Sequence, residues 1–364
     1  MRRILFVLPS LEYGGAAKQV SLLACGLPRS RFEARACALG REGPAATSLR
    51  AAGIPVEVLG GPRVLHLSAL WRLRRLVGAF GPDVIHAWGR PSVRAAALAA
   101  GRTGSRLVAS APFPDPGRGA GLGPLDRWAL RRADRVVARG PDEARRCRLA
   151  GLPGEKVIVV PPGVEAGKAN GDEGASTSGA LPPSPLIACA GRLEPSKGFG
   201  EALWAFDILQ FVYEHLHLVL IGTGPDRERL ERFAAGSGWP DHIHFAGSRA
   251  DVPALLARAD VVWVPSRAGG GGVNVALEAM ARGRVVVASR RPGLAEVIAD
   301  GATGFLVSPG SQVELARQTH RLLDDPDLRR RMGEAARQRA AGHFAAEDLR
   351  RRYADLYLAV RVAA

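Results

Sequence analysis

Residues 186–199 read LIACAGRLEPSKGF and carry the clearest fold signal in the chain. The first five are continuously apolar, which is typical of a strand buried on both faces of a parallel sheet. The residues that follow include Arg192 and Lys197, and Gly198 comes directly after the lysine. In an open parallel sheet, ligands bind beyond the carboxyl ends of the strands. A guanidinium fork and an ammonium group at such an end predict a diphosphate-binding site.

The same alternation of apolar runs and helix-like stretches extends in both directions. A β-α-β-α rhythm predicts a doubly wound α/β domain. We therefore predict two doubly wound, Rossmann-like α/β domains that face each other across a cleft, with a C-terminal helical tail. The predicted strands are RILFVLPS (3–10), PVEVLG (55–60), DVIHAWG (83–89), RLVASAP (106–112), RVVARG (135–140), LIACAGRL (186–193), HLVLIGTG (217–224), HIHFAGS (242–248), VVWVPS (261–266), RVVVAS (284–289) and GFLVS (304–308).

Changes in composition divide the chain into four predicted segments. Residues 1–165 form an N-terminal α/β domain, and residues 166–184 are small and polar, which is typical of a linker or a mobile loop. The rhythm restarts over residues 185–345 as a second α/β domain. Residues 346–364 are predicted to form a helix that returns to the N-terminal domain.

The composition excludes several classes of protein. With 364 residues, 47% of them hydrophobic, the chain resembles neither disordered nor collagen-like sequences. No run approaches the roughly 18 apolar residues of a spanning helix. The apolar start meets Glu12 without a cleavage site, so it indicates a first strand rather than a signal peptide. The chain has four cysteines, Cys25, Cys37, Cys147 and Cys189, and none of them forms a C-x-x-C pair. We therefore expect a cytoplasmic protein without disulfides.

The net charge is +15, from 50 basic and 35 acidic residues. This surplus fits an anionic partner, such as a phosphorylated small molecule, an anionic membrane face or nucleic acid, and equally fits solvated helix faces in an arginine-rich chain. Lysine is rare in this chain compared with arginine. A position that has lysine rather than arginine is therefore expected to be one where a site requires it. The lysines are Lys18, Lys156, Lys168 and Lys197.

Two glycine-rich turns are further candidates for ligand binding. Gly14 and Gly15 follow the first strand and open a helix, whose free N–H groups suit an anion; the alternative is a tight turn. Residues 269–272 are four glycines before a helix that begins near Asn274 and carries Glu278. A carboxylate there can accept the two hydroxyls of a ribose, or serve only as a favourable charge near the helix start.

The C-terminal half resembles the retaining, nucleotide-sugar-dependent glycosyltransferases of family 4, which have the GT-B architecture. The resemblance extends over nearly the whole chain and is most specific after residue 185. Its motifs are G-R-L-x-x-x-K-G (191–198), G-x-G-P (222–225), F-x-G-S (245–248), A-D-V-V-W-V-P-S (259–266), L-E-A-M-A-x-G (277–283) and E-V-I-x-D-G-x-T-G-F-L-V (296–307).

The resemblance implies a function for each half of the chain. The N-terminal domain faces the acceptor, and the C-terminal domain binds the nucleotide sugar. Arg192 and Lys197 are expected to hold the donor diphosphate and to act in catalysis, and Glu278 to hold the ribose. The turn at Ser248 and Arg249 is expected beside the base. Other residues expected at the donor are Gly14, Gly15, Gly222, Gly271, Gly272, Val273 and Asn274.

Two positions depart from the family pattern. Gly270 stands where the family usually has a glutamate against the transferred sugar, and Pro112 where it usually has a histidine. His86 in DVIHAWG is the remaining candidate for a catalytic histidine, with Trp88 two residues on. The departures predict intact donor binding and a slow chemical step or an altered sugar preference.

The resulting prediction is a glycosyltransferase that moves a sugar, with retention, to a lipid-linked or polysaccharide-precursor acceptor. One alternative is a catalytically degenerate nucleotide-sugar-binding or scaffold protein on the same fold. A weaker alternative is a nucleotide-sugar isomerase. Because arginine and lysine offset the charge of the leaving group, no metal or other cofactor is expected.

Other signals are interpreted structurally. The histidine pairs at 215 and 217, and at 242 and 244, lack a third ligand and indicate strand-edge histidines rather than a metal site. Asp325-Pro326-Asp327 is expected to be a turn and helix cap. The basic, aromatic stretch around Trp71 suits either an anionic membrane surface or a helix packed on the sheet. No nucleic-acid-binding module is recognised.

Overall fold

The structure is a computed structural model that describes residues 1–12, 14–60, 67–102, 104–110, 122–167, 182–268 and 271–360. The chain divides into two compact units. The N-terminal unit comprises the described residues of Met1–Gly163 and Ala346–Ala364, and the C-terminal unit those of Val164–Ala345. In the described ranges, no helix is both long enough and apolar enough to cross a membrane.

The N-terminal unit is a parallel sheet with helices between its strands. Its strands are β1 (Arg2–Leu8), β2 (Phe32–Ala38), β3 (Val56–Val58), β4 (Val84–Trp88), β5 (Arg106–Ser110), β6 (Arg135–Ala138) and β7 (Val157–Val159). Its helices are α1 (Gly15–Gly26), α2 (Pro44–Ala51), α3 (Leu67–Phe80), α4 (Arg90–Ala99), α5 (Pro124–Arg132), α6 (Pro141–Leu149) and the last helix of the chain, Ala346–Ala359.

The C-terminal unit repeats this arrangement. Its strands are β8 (Leu186–Ala190), β9 (His217–Ile221), β10 (Ile243–Gly247), β11 (Val261–Val264), β12 (Val285–Ser289) and β13 (Gly304–Val307). Its helices are α7 (Phe199–Gln210), α8 (Arg227–Ala235), α9 (Val252–Arg258), α10 (Val273–Ala281), α11 (Pro292–Val297), α12 (Gln312–Asp324) and α13 (Pro326–His343), so the last helix is α14.

The strand order places one reversal of winding in each sheet. The N-terminal order is β3-β2-β1-β4-β5-β6-β7, and the C-terminal order is β10-β9-β8-β11-β12-β13. The prediction of two doubly wound α/β domains is confirmed. In such sheets, ligands bind beyond the carboxyl ends of the strands at the reversal. These points lie between β1 and β4, and between β8 and β11.

The sequence pattern does not predict β2, although it lies inside the sheet next to β1. Its sequence FEARACA places Glu33 and Arg35 among small residues, so it contains no continuous apolar run that would predict a strand. The structure accommodates Arg35 by setting its guanidinium carbon 4.4 Å from the centre of the Phe80 ring. A charged side chain can cover apolar surface in this way, so charge alone does not exclude a strand.

Helix α14 packs in the N-terminal unit, as a returning helix requires. Its Tyr353 and Tyr357 are buried among apolar side chains of β1 and α1. At the end of the C-terminal unit, Asp325 caps α13 by accepting a hydrogen bond from the Leu328 N–H at 2.8 Å. The side chain therefore serves as the predicted helix cap.

Candidate functional site

The loops that follow β8 and β11 lie side by side at the reversal in the C-terminal sheet. The backbone N–H groups of Arg267 and Ala268 donate to the Ser196 carbonyl at 2.9 and 3.1 Å. Gly198 has a φ of +76°, and a Cβ there would lie 1.9 Å from the Pro265 carbonyl oxygen. Only glycine permits this approach. The backbone therefore holds the predicted diphosphate loop against the glycine-rich loop.

Arg192 and Lys197 share one carboxylate in the loop after β8. The Arg192 Nε lies 3.9 Å from Glu194 Oε2, and the Lys197 Nζ lies 3.9 Å from Glu194 Oε1. The Ser196 hydroxyl donates to Glu194 Oε1 at 2.7 Å. Two cations beside one carboxylate leave a net positive charge. This charge suits an anionic ligand at a strand end.

The lysine ammonium rests against the backbone of the glycine-rich loop. A Cβ added to Gly271 would lie 1.9 Å from Lys197 Nζ, so the ammonium occupies the space that a side chain would need. The Ser266 hydroxyl donates to the Gly271 carbonyl at 3.4 Å. Gly271 thus brings the predicted cation and the predicted loop into direct contact. The absence of a side chain at residue 271 leaves the space that the ammonium group occupies.

This contact predicts different outcomes for two neighbouring glycines. Gly271→Ala should displace the flexible Lys197 ammonium and weaken nucleoside-diphosphate binding about tenfold, with little change in Tm. Gly272→Ala should lower Tm instead, because Gly272 has a φ of +94° and a Cβ there would lie 2.2 Å from Val264 Cγ1. Calorimetric titration and thermal melts of both variants distinguish the two effects. Unchanged affinity in Gly271→Ala would contradict this role of the contact.

Helix α10 begins at this loop and carries the predicted ribose carboxylate. Gly272 caps its N-terminus without a side-chain hydrogen bond, and Val273 and Asn274 form its first turn. Glu278 lies in the sixth helical position and is only 4% exposed. Its side chain is therefore deeper in the unit than the loop glycines. The structure places Gly271 to Glu278 along one continuous segment that starts beside Lys197.

The other predicted donor residues lie after β9 and β10. The Gly222 N–H donates to the Gly247 carbonyl at 2.7 Å, so these two strand ends are joined. Arg249 makes a two-pronged ion pair with Asp251, with N–O distances of 2.8 and 2.6 Å. These hydrogen bonds lower the pKa of the Asp251 carboxyl. Arg249 is thus held in one orientation near the carboxyl end of β10.

The remaining candidates belong to the N-terminal unit. Gly14 and Gly15 form the start of α1, with no side-chain cap. His86 is fully buried in β4, and its two ring nitrogens contact the hydroxyls of Tyr357 (2.6 Å) and Ser110 (3.0 Å). An imidazole enclosed in this way has no nitrogen directed at a substrate. We correct its predicted catalytic role to a structural one.

The two departures from the family pattern, Gly270 and Pro112, lie outside the described residues. Most of the predicted linker lies outside them as well.

The predicted strand-edge histidines form a small cluster beside β9 and β10. The Nδ1 of His217 lies 3.1 Å from the Nε2 of His244, and the ring of His217 stacks on His242 at 4.8 Å. Burial and the neighbouring histidines lower the pKa of His217. Among the residues that the structure describes, no group of three or more histidine, cysteine or acidic side chains is arranged to hold a metal ion.

Comparison with known proteins identifies the family. Glycosyl transferases group 1 matches residues 176–339, and Glycosyltransferase Family 4 matches residues 13–168. The GDP-mannose-dependent alpha-(1-6)-phosphatidylinositol monomannoside mannosyltransferase of Mycolicibacterium smegmatis is 31% identical over 292 residues, 75% of each chain. The chain belongs to the family 4 glycosyltransferases. The predicted family is confirmed.

Other similarities agree with this family. The glycosyltransferase is 31% identical over 248 residues to the alpha-D-kanosaminyltransferase of Streptomyces kanamyceticus, an alignment that covers 64% of each chain and so slightly less than two thirds of that relative. Its fold matches Anabaena Alr3699/HepE, solved in complex with UDP and glucose, with a TM-score of 0.83 at 23% identity over 99% of this chain and 100% of the other. Sucrose-phosphate synthase from Thermosynechococcus elongatus gives a TM-score of 0.81 at 18% identity over 98% of both chains.

Sequence reasoning did not identify Glu194 or Ser196 as part of this site. Both lie within the loop that carries Arg192 and Lys197, and their polarity was the available signal. Their pairing depends on a single 3₁₀ turn over Pro195–Lys197, which brings residues 194 and 197 to the same side. The spacing of an acid three residues before a lysine indicates such a contact once the turn is known.

Proposed function

We propose that this glycosyltransferase binds a nucleoside-diphosphate sugar in its C-terminal unit and transfers the sugar to an acceptor with retention of configuration. The observation that carries the proposal is the contact between the Lys197 ammonium and the Gly271 backbone at the sheet reversal. It holds a cation at the carboxyl ends of β8 and β11, which is where an open parallel sheet would bind the donor diphosphate. Arg192, on the same loop, adds a fork for a second pair of oxygens.

The cations act on the leaving group in this proposal. As the bond between sugar and diphosphate breaks, negative charge grows on the diphosphate oxygens. Arg192 and Lys197 offset that charge, and the contacts with Glu194 hold both side chains near the same loop before the reaction. We expect the reaction to proceed without a metal ion. Glu278 binds the ribose hydroxyls, and the turn at Arg249 lies beside the base.

The acceptor is proposed to be lipid-linked or a polysaccharide precursor. The M. smegmatis relative is named for a phosphatidylinositol monomannoside, and a Rhizobium meliloti relative, 26% identical over 292 residues, for lipopolysaccharide core biosynthesis. Helix α3 provides a surface for such acceptors. Leu67 and Trp71 are 89% and 61% exposed, and Arg72, Arg74 and Arg75 are also exposed.

Exposed apolar and basic side chains on one helix suit the surface of an anionic bilayer. The proposal is therefore a cytoplasmic enzyme that contacts the inner face of a membrane through α3.

The donor assignment is tested with two ligands that differ in the ribose. Glu278→Gln should weaken UDP or GDP binding about tenfold and leave pyrophosphate binding unchanged, because pyrophosphate lacks the hydroxyls that the carboxylate accepts. Calorimetric titration measures both, with Glu231→Gln, which changes an exposed carboxylate on α8, as the matched control. Equal losses for UDP and pyrophosphate would remove the ribose role. A panel of UDP- and GDP-sugars, with the product anomer determined by NMR, then tests transfer and retention.

A second candidate function is nucleotide-sugar binding without turnover. The enclosure of His86 favours it, because this strand then offers no imidazole to a substrate. The same donor panel separates the two. Release of free nucleotide together with a glycosylated product supports transfer, whereas tight binding without release in the presence of acceptors supports the second candidate.

A further inference from the structure

Helix α7 is apolar on two opposite sides. Its inner side, which includes the fully buried Phe206, packs in the core of the C-terminal unit. On its outer side, four large apolar side chains are exposed: Trp204 (53%), Ile208 (42%), Phe211 (81%) and Val212 (62%). Single exposed apolar residues are normal on a protein surface, but these four occur together. A helix that is apolar all round is usually covered on all sides.

The four exposed side chains form one stripe, here called the α7 stripe. Their spacing is i, i+4, i+7 and i+8, which places them on one face of a helix, and Phe211, directly after α7, keeps helical backbone angles. On α8, the ring of Phe233 extends the stripe, because its centre lies 4.9 Å from that of Trp204. From the usual sizes of such side chains, the stripe exposes roughly 400–500 Å² of apolar surface. Patches of this size often mark an interaction site.

The surface at the first turn of α7 presents positive charge. A Cβ added to Gly200 would lie 3.2 Å from a guanidinium nitrogen of Arg229, so this arginine of α8 lies beside the start of α7. Arg229 pairs with Asp226 at 2.6 Å, and Arg267 pairs with Glu201 at 3.1 Å. In both pairs the arginine side chain is more than half exposed (55% and 58%), whereas the carboxylate is largely buried (7% and 15%). The charge that faces solvent at this end is therefore positive.

The opposite end of the stripe presents negative charge. Glu214, just after the stripe in the chain, is exposed. The Tyr213 hydroxyl lies 2.7 Å from Nδ1 of His320, which brings the second half of α12 beside the end of α7. Burial and the exposed Asp324 of α12 raise the pKa of Tyr213, so this second carboxylate lies at the same end. The cation in this part of α12, Arg321, lies over an aromatic ring of β13, 4.9 Å from its centre.

We propose that the α7 stripe is the self-association surface of a homodimer, in which two copies of this chain pack their α7 helices antiparallel about a two-fold axis. In such an interface the same patch meets itself, so its two ends must be complementary. Antiparallel packing brings the exposed arginines of one copy to the exposed carboxylates of the other. The stripe supplies about half of the roughly 800 Å² that each partner buries in a standard interface, and the charged ends supply the polar rim.

The acidic end distinguishes this surface from the exposed face of α3. An anionic bilayer attracts basic and apolar side chains and repels carboxylates. Glu214 and Asp324 therefore oppose contact with such a membrane, whereas they favour contact with the arginine end of a second copy. The inference does not depend on the proposed transferase function, because the stripe contains none of the predicted donor residues.

Sedimentation equilibrium of the full chain tests the dimer. The parent should dimerise with a Kd of about 10 µM or below, and Phe211→Ser should raise that Kd about tenfold, because central aromatic side chains dominate interface energies. Phe211 is 81% exposed, so this variant should keep the Tm of the parent. Trp71→Ser, which removes an exposed aromatic side chain from α3, is the matched control and should leave the Kd unchanged. A parent that stays monomeric at about 100 µM overturns the inference, as does an unchanged Kd in Phe211→Ser.

Cysteine cross-linking tests the two-fold arrangement. Ile208 is in the middle of the stripe, so in antiparallel packing it lies beside its own copy. In a Cys25→Ser background, which removes the exposed cysteine and keeps the three buried ones, Ile208→Cys should form a disulfide-linked dimer when copper phenanthroline and oxygen are added as oxidant. Leu149→Cys, at a position 74% exposed on α6, is the control for random collision. Equal cross-linking of the two variants, or none in either, contradicts the arrangement.

The charged end provides a further measurement. Glu214→Lys should raise the dimer Kd about threefold, because it places a cation opposite the arginine end of the partner. Glu334→Lys, which reverses an exposed carboxylate on α13, should leave the Kd unchanged. Equal effects of the two reversals would contradict the charge pairing.

Vesicles that contain phosphatidylserine test the alternative of a membrane contact. The parent and Phe211→Ser should bind such vesicles equally, because the stripe is expected to face a second copy. If Phe211→Ser loses vesicle binding and the parent is monomeric, the stripe contacts a membrane and the inference fails.

Discussion

Replacing Lys197 with alanine is expected to lower turnover by about 10²–10³-fold, the usual cost of removing one group that stabilises transition-state charge. The ammonium lies against Gly271 and 3.9 Å from Glu194 Oε1, so its removal takes away the cation that faces the glycine-rich loop. Affinity for the nucleoside diphosphate should fall by about tenfold or more, because a charged hydrogen bond to phosphate is lost. Steady-state kinetics with the donor found in the panel, and calorimetry with its nucleoside diphosphate, measure the two effects.

Two further lysine variants make this result specific. Lys156 donates to the carbonyls of Arg131 and Ala133 at 2.9 and 3.0 Å, at the end of α5 in the other unit. Lys156→Ala should therefore lower Tm and leave donor affinity unchanged. Lys197→Arg keeps the charge but needs a wider, planar space beside Gly271, so it should restore only part of the affinity. Full activity in either Lys197 variant would refute the assignment of the donor phosphates to this loop.

Acid should destabilise the N-terminal unit through His86. Burial lowers the pKa of His86 to about 3, whereas the same residue in the unfolded chain titrates near 6.5. Below pH 6.5 the unfolded chain binds a proton that the folded unit does not, so the free energy of unfolding falls as the pH falls towards 3. The loss from this one group should be about 2 kcal/mol between pH 7 and pH 5.

Urea denaturation at pH 7 and pH 5 measures this loss. The control is His86→Gln, which keeps a polar side chain in the core but cannot take up a proton in this range. Its free energy of unfolding should fall less between the two pH values than that of the parent. His217 and His244, whose pKa values are also lowered by burial, lie in the C-terminal unit and act in both proteins equally. Equal pH dependence of the two proteins would show that His86 does not carry the effect.

The fold was predictable because the deciding pattern is local. Continuous apolar runs such as β8 and β11 mark strands covered on both faces, and their order along the chain restricts the topology to a doubly wound sheet. The same argument placed the candidate site in the turns after these strands, and its role in binding a diphosphate stays a prediction. The structure adds the close approach of Lys197 to Gly271, which the sequence did not predict.

His86 shows where the sequence misleads. Its residue type suggests chemistry, but β4 lies between β1 and β5, and all five of its residues are buried. The partners that occupy the imidazole come from β5 and from α14, 271 positions away in the chain for Tyr357. Such long-range contacts leave no trace in local periodicity.

The position of α14 has a consequence for how the protein is made. Residues Val164–Ala345 form the C-terminal unit as one uninterrupted segment, whereas the N-terminal unit needs both the first 163 residues and those from Ala346 onward. On the ribosome, domains generally fold in the order in which they emerge. Here the unit whose first strands are synthesised first lacks the helix that covers Phe6 and His86 until residues 346–359 have been synthesised. The N-terminal unit is therefore completed only after the C-terminal unit has been synthesised, and a premature stop before α14 removes part of its core.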